Sequence, residues 1–310
     1  MALSLDVRAL ARAARSRKEE AAAGDDADKE RERATAITID RANRAAAAIA
    51  ERAKGGGGNS TSSSVVLAAD ILDGVRYWPE FLAEEEEACL VDAIDVVAEG
   101  RWVGGESDDR FSGSCCCPSS TSTTATTATS TSTALPGRRR RANFGGSPSY
   151  LSSSEPLPPF LQSLCLALTS AGAFSETQPA NHVLINDYGS GAGLPRHRDG
   201  PLYEASATIT LCGSAALELH RIEEVEEAKE SGKKNNNKKA SSIQLLLRPR
   251  AALSLRTESY ERWEHGVPAV DVDRIRIECA NRLEAGVEVG EEVARAPRRM
   301  SLVFVNKRKV

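Results

Sequence analysis

No stretch of the 310-residue chain reaches the roughly eighteen apolar residues of a membrane span, so no transmembrane helix is expected. The first residues lack the continuous apolar segment of a secretory signal. Cys-x-x-Cys pairs are absent, which argues against a zinc ribbon and against a disulfide framework. The seven cysteines are an odd set, three of them consecutive (Cys115, Cys116, Cys117), and they suit a reducing compartment. Only four histidines are present (His182, His197, His220 and His265), so candidates for a histidine-held metal are few. The net charge of −4 carries no strong excess of one sign, and a nucleic-acid partner has to be argued from a local patch. Gly-Ser-Gly-Ala-Gly at 189–193 lacks the third glycine of a dinucleotide loop and the lysine of a phosphate loop. His197-Arg198-Asp199 does not open a kinase catalytic loop, because Glu204 stands where that loop needs Asn.

What is present divides unevenly. Residues 1–64 are expected to be a disordered, low-complexity segment: Ala, Arg and Glu to about residue 53, then the Gly/Ser linker GGGGNSTSSS at 55–64. The opening MALSLDVRALARAARSRK is arginine-rich and roughly amphipathic, as organelle transit segments and loose surface helices both are. Asp6, Glu19, Glu20, Asp25 and Asp26 favour the surface helix, and the expected compartment is nucleus or cytoplasm. The folded domain is expected over 65–310, interrupted by low-complexity insertions near 106–137 and 222–242 whose composition cannot build a core.

Within that domain, 81–100 carries apolar residues at helical spacing behind an acidic first turn, and 160–172 reads as a second helix after a proline-rich entry. From residue 182 short β-type runs dominate: HVLINDY, ATITLC, ALELH, IQLLLR, AALSLR and SLVFV. Helices followed by short strands predict an α+β, mainly β fold, a double-stranded β-helix or jelly roll buttressed by N-terminal helices.

His197 and Asp199 are the chemical signal. Residues i and i+2 of an extended segment point to the same side, so both can bind one ion, and His265 after a β-type run is the candidate third ligand. Two imidazoles and one carboxylate on one face of an octahedral ion leave open positions, the arrangement of non-haem iron(II) oxygenases. The same spacing also suits a surface turn with an internal His–Asp hydrogen bond.

The context goes further. NHVLINDYGSGAGLPRHRDGPLY at 181–203 closely resembles the AlkB family, and within it the subgroup called AlkB homologue six. YWPEFLAEEEEACL at 77–90, RANFGG at 141–146, LPPFLQ at 157–162, LLLRPRAALSLRTESYERWEHGV at 245–267 and RRMSLVFV at 298–305 agree in the same order. The resemblance implies Fe(II) held by His197, Asp199 and His265, with 2-oxoglutarate as cosubstrate and O2 as oxidant. It implies that Asn186, Tyr188 and Arg299, with Ser301 on the same strand face as Arg299, bind the oxo-acid. The chain departs from the family in one place. A second arginine commonly follows six residues after the first, and here that position is Val305, with Lys307 two residues on. By the resemblance, the substrate is alkylated nucleic acid, demethylated oxidatively at a base. A protein-hydroxylating or protein-demethylating oxygenase on the same fold is an alternative, and Val305 leaves open a nucleic-acid-binding homologue with impaired turnover. In the family, the region of Arg138 to Arg141 belongs to a lid over the substrate; the run suits phosphates, and equally a solvated surface. His182 and His220 are expected to be structural, and oligomeric state is left undetermined.

Overall fold

The computed structural model describes residues 7–55, 72–104, 136–146, 155–200, 203–222 and 242–307. Its strands are β1 (Val75–Trp78), β2 (Val103–Gly104), β3 (Arg139–Phe144), β4 (His182–Gly189), β5 (Leu194–His197), β6 (Tyr203–Leu211), β7 (Ala215–Arg221), β8 (Ser242–Leu247), β9 (Ala252–Arg256), β10 (Trp263–Val267), β11 (Val272–Arg274), β12 (Glu292–Ala294) and β13 (Arg298–Lys307). Its helices are α1 (Val7–Lys54), α2 (Glu84–Val97), α3 (Pro159–Ser170) and the short α4 (Thr257–Glu261). Seven strands form one sheet in the order β1-β9-β6-β13-β4-β3-β2, and four form a second in the order β5-β10-β7-β8. All pairings are antiparallel, and β11 and β12 form a separate pair. The fold is mainly β with helices along one sheet, as expected.

Alternation along the central strands separates two environments. Met300, Leu302 and Phe304 of β13, with Val183 and Ile185 of β4, pack into a core shared with α1, α2 and α3. The residues between them face the other way, toward the four-stranded sheet. Part of that inter-sheet space is apolar, filled by Tyr77, Leu253 and Leu255 from the large sheet and Leu217, Leu219, Trp263 and Val267 from the small one. Next to this filling, β4 and β13 present polar residues instead: Asn186, Tyr188, Arg299 and Ser301 are all buried.

The helices begin as their sequences dictate. Glu84 to Glu87 lie in the first turn of α2, where acids suit the dipole, and the Glu86 carboxylate accepts a 2.8 Å hydrogen bond from the Ala83 N–H. Proline opens α3, where its missing N–H costs nothing.

Part of the N-terminal segment expected to be disordered is helical. Residues 7–54 form one continuous helix, and Ala42, Ala46, Ile49 and Ala50 on one face of it are buried in the helix-side core. Arg52 ties α1 to α2 through a bidentate pair with Glu86 at 2.7 and 2.8 Å. The segment does have something to bury, because small side chains let α1 lie close to α3. Residues 56–64 of the linker lie outside the described residues, as do 106–135 and 223–241 of the two expected insertions. Cys89, Cys165, Cys212 and Cys279 are free thiols, and burial pushes that of Cys165 up to about 12, which leaves it inert. Among the described residues no helix is long and apolar enough to cross a membrane.

Candidate metal centre

The two histidines meet through strand pairing. β5 and β10 run antiparallel with His197 directly opposite His265, and β10 also pairs with β7, so His265 is fixed from both sides. His265 points inward with Trp263 and Val267, its neighbours at i−2 and i+2, which belong to the inter-sheet core. The imidazole centroids are 4.4 Å apart with planes tilted by 58°. Asp199, just past the end of β5, brings Oδ1 to 3.8 Å from the Nε2 of each histidine. One ligand atom from each of the three residues lies within 4.8 Å of the others, and no second cluster of this kind occurs among the described residues.

The details suit a metal. His197 Nδ1 lies 2.9 Å from the Pro195 carbonyl; protonated there, it donates to that carbonyl and leaves Nε2 as a lone-pair donor. Burial holds the His265 pKa below its usual value against the opposing pull of Asp199, which favours the neutral imidazole a cation needs. The ligand set of two imidazoles and a carboxylate is that of iron(II) sites with open positions.

The four residues expected to bind an oxo-acid form two facing pairs across β4 and β13, Tyr188 opposite Arg299 and Asn186 opposite Ser301. Asn186 Nδ2 donates to Ser301 Oγ at 3.4 Å, and the Arg299 guanidinium lies 5.1 Å from the centre of the Tyr188 ring. Burial lowers the Arg299 pKa, while Tyr188 works in the other direction. Arg299 Nε and Asn186 Oδ1 are buried without a hydrogen-bond partner among the described residues. A buried arginine and an orphaned amide oxygen are costly unless something completes them. A small dicarboxylate fits the guanidinium and hydroxyl donors of this set.

Val305, where the family commonly has its second arginine, is buried between His182 on β4 and Ser206 on β6. The ladder with β6 shifts between Val305 and Lys307, which pairs with Tyr203, and the Asn181 side chain grips the Lys307 backbone at 2.8 and 2.9 Å. His182, expected to be structural, lies at the start of β4. It is buried with no hydrogen-bond partner on either ring nitrogen among the described residues, and burial, then the charge of Lys307, pushes its pKa down to about 4 against a smaller opposing contribution from the Gly145 backbone. His220 stands 3.4 Å from Glu218 on the outer side of the small sheet, and both line the cavity of about 690 Å³.

Three positioning features carried no signal in the sequence. Asp187 is fully buried on the helix side of β4 between Arg140 and Arg298. Arg295 clamps Asp273 with two 2.8 Å bonds and donates to the carbonyls of Ala192 and Pro268, tying together the segments before β5 and after β10. Gly193 lets those segments touch, since a Cβ there would stand 2.5 Å from the Val267 carbonyl oxygen. Two cavities flank the centre. One of about 690 Å³ is lined by Arg139, Arg141, Leu194 and Pro195, and one of about 700 Å³ by Arg198, Asp199, Tyr203 and Tyr260.

No family model matches the chain. The Danio rerio protein described as a probable RNA/DNA demethylase, ALKBH6, is 28% identical over 225 residues, covering 72% of this chain and 82% of that protein. The solved structure of OsALKBH1 superposes with a TM-score of 0.43 at 15% identity, over 75% of this chain and 97% of that one. A Pseudomonas putida prolyl-4-hydroxylase gives a TM-score of 0.37 at 13% identity, over 78% and 99% of the two chains. The sequence relationship, carried by motifs in the same order, makes this chain similar to the AlkB-type protein ALKBH6 over most of both chains.

Proposed function

We propose that this protein is an Fe(II)- and 2-oxoglutarate-dependent dioxygenase of the AlkB type that demethylates alkylated nucleobases in DNA or RNA. The observation that carries the reading is the convergence of His197, Asp199 and His265 beside a buried, incompletely paired Arg299. His197, Asp199 and His265 would hold the iron, with Arg299, Tyr188, Asn186 and Ser301 receiving the oxo-acid. When bound, iron with 2-oxoglutarate and O2 supplies oxidation of a substrate C–H bond, the oxo-acid leaving as succinate and carbon dioxide. An N-methyl group so hydroxylated departs as formaldehyde, and the base nitrogen regains a proton.

The chain's own contribution is binding and exclusion. The Arg299 guanidinium offers the oxo-acid a fixed fork of donors on a strand paired on both sides. The Pro195 carbonyl orients the His197 ring. The apolar packing of Trp263, Val267 and Leu219 next to the centre keeps water out and strengthens these interactions. A base within a duplex has to leave the stack to reach such a centre. Val305 favours a second reading, an AlkB-like nucleic-acid-binding protein with impaired turnover, because a side chain without donors stands where the family commonly has its second arginine.

The test is an anaerobic titration of 2-oxoglutarate into the iron(II)-loaded protein, read by the weak visible charge-transfer band of the chelated oxo-acid, with His197→Ala as control. A saturable band absent from the variant, followed by formaldehyde release from a methylated oligonucleotide, supports the enzyme. A band with no turnover on methylated DNA or RNA favours the second reading, and failure to bind iron overturns both.

A further inference from the structure

Among the described residues, strand pairing holds both histidines of the candidate centre and leaves Asp199 outside the ladder. β5 ends at His197, and Asp199 lies two residues on, yet its Oδ1 stands 3.8 Å from the Nε2 of each imidazole. Both neighbours of Asp199 are gripped instead by α4. The Tyr260 hydroxyl donates to the Gly200 carbonyl at 3.2 Å, and the Arg198 guanidinium reaches the Glu261 carbonyl at 3.5 Å. The Tyr203 N–H approaches the same Gly200 oxygen at 3.4 Å. Tyr260 is buried, so little water competes for its hydroxyl.

The helix is itself anchored at both ends. Ser259 closes its first turn, the hydroxyl donating to the Arg256 carbonyl at 2.7 Å, and the Ser259 N–H donates to the Asp73 carbonyl at 3.2 Å. Thr257 Oγ1 donates to Asp73 Oδ2 at 3.1 Å. Thr257 also holds φ at 49°, a region that a β-branched residue rarely enters. Strain of that kind persists where the surroundings over-determine the backbone. At the far end the Ile222 N–H donates to the Arg262 carbonyl at 2.9 Å, and Arg221 stands 3.4 Å from Glu258. The chain then enters β10 at once, with Trp263 buried and His265 two residues further on. One five-residue helix thus touches both residues beside the carboxylate and leads directly into a histidine of the same centre.

We propose that α4 is a positioning element for the candidate metal ligand Asp199, and that the Tyr260 hydroxyl, through the Gly200 carbonyl, sets where that carboxylate stands. The proposal rests on the metal reading above and deepens it. Tyr260 acts through Gly200 and is a positioning residue. Without its hydroxyl, the segment 198–200 keeps the long Arg198 contact and the long Tyr203 bond. Asp199 then gains freedom that it has to give up again when a cation binds, and affinity falls although all three ligands are intact.

The experiment measures nickel(II) affinity of the full chain by competition with a chelator. Nickel(II) binds nitrogen and oxygen sites more tightly than iron(II), so weakened variants stay measurable. Tyr260→Phe is expected to weaken binding by roughly tenfold. Tyr77→Phe removes a comparable hydroxyl bond, 3.4 Å to the Leu246 carbonyl in the inter-sheet core, and is expected to leave the affinity unchanged. The Tyr260→Phe change is then repeated in an Asp199→Ala background, where it should have no further effect, because the carboxylate it positions is gone. A second full loss in that background overturns the proposal, since Tyr260 would then support the histidines or the fold at large. So does an equal loss in Tyr77→Phe, and so does wild-type affinity in Tyr260→Phe. Absence of nickel binding in the unaltered chain removes the metal reading and this proposal with it, whereas binding that ignores Tyr260 overturns the proposal alone.

Discussion

Asp187 and Arg298 form a buried ion pair on the helix side of the same two strands whose inner side carries Asn186 and Arg299. Arg298 donates from Nε to Asp187 Oδ1 at 3.0 Å and from Nη2 to Oδ2 at 3.2 Å, and reaches Asp95 of α2 at 2.9 Å. The pair fixes the β4–β13 register, and with it the facing of Asn186 with Ser301. Asp187→Ala leaves two guanidinium groups facing a missing carboxylate. It is expected to cost about 3–5 kcal/mol, the range for breaking a buried pair, and to lower the thermal midpoint. Calorimetry checks this, and an unchanged midpoint would mean that the arginines find other partners.

Arg299 should govern oxo-acid affinity rather than the metal. Arg299→Lys is expected to weaken 2-oxoglutarate binding by roughly ten- to a hundredfold, because an ammonium cannot reproduce the fork. Iron binding stays as it is. Equal oxo-acid affinity in the variant would remove Arg299 from the site.

Gly193 sets the distance between the segment leading into β5 and the segment after β10. A methyl group there collides with the Val267 carbonyl and with Ala269. Gly193→Ala is therefore expected to displace His197 from His265 and reduce iron affinity by about ten- to a hundredfold, as losses outside the ligand set do. Competition with a chelator measures it, and wild-type affinity would show that the loops yield instead.

His182 should leave a mark on acid stability. Its folded pKa of about 4 lies below the ordinary value of 6.5, so the unfolded chain binds a proton that the folded chain refuses. The stability it permits is whole above pH 6.5 and is lost as pH falls toward 4, by at most about 1.4 kcal/mol per unit. His182→Leu removes two unpartnered nitrogens, so it is expected to be neutral or stabilising at pH 7 and to flatten that slope. Denaturant unfolding of both proteins at pH 7 and pH 5 decides it. A steeper slope in the variant would contradict the assignment.

In α1, Ile49→Ala is expected to cost about 2–4 kcal/mol in a thermal or urea melt, as for other buried isoleucines. Ile37→Ala, at a residue 61% exposed, should cost almost nothing. Equal effects would mean that the packing of α1 on α3 contributes little.

The candidate centre was largely legible in the chain. His-x-Asp on an extended segment needs only period-two alternation to converge, and the same alternation places Asn186 with Tyr188 and Arg299 with Ser301. Alanine hid α1, because Ala42, Ala46 and Ala50 are weakly apolar one by one and build a seam only when α3 lies close against them. Asp187 was silent for another reason. It is next to Asn186 in sequence but on the opposite face, and its partners Arg140 and Arg298 are distant in sequence and brought to it by register alone. The arginine run is ambiguous for the same reason: only the pairing of β3 with β4 separates Arg140 from its neighbours.

The place of β13 bears on how the chain acquires this shape. It lies between β6 and β4 in the large sheet, yet it is synthesised after every other strand of that sheet. While a ribosome is still making it, β4 and β6 have no partner between them, and Arg299 and Ser301 have not yet arrived opposite Tyr188 and Asn186. The sheet and the candidate oxo-acid site close in one late event, dominated by contacts between distant parts of the chain. Such closures are slow, and until then the unpaired strand edges are open to wrong partners.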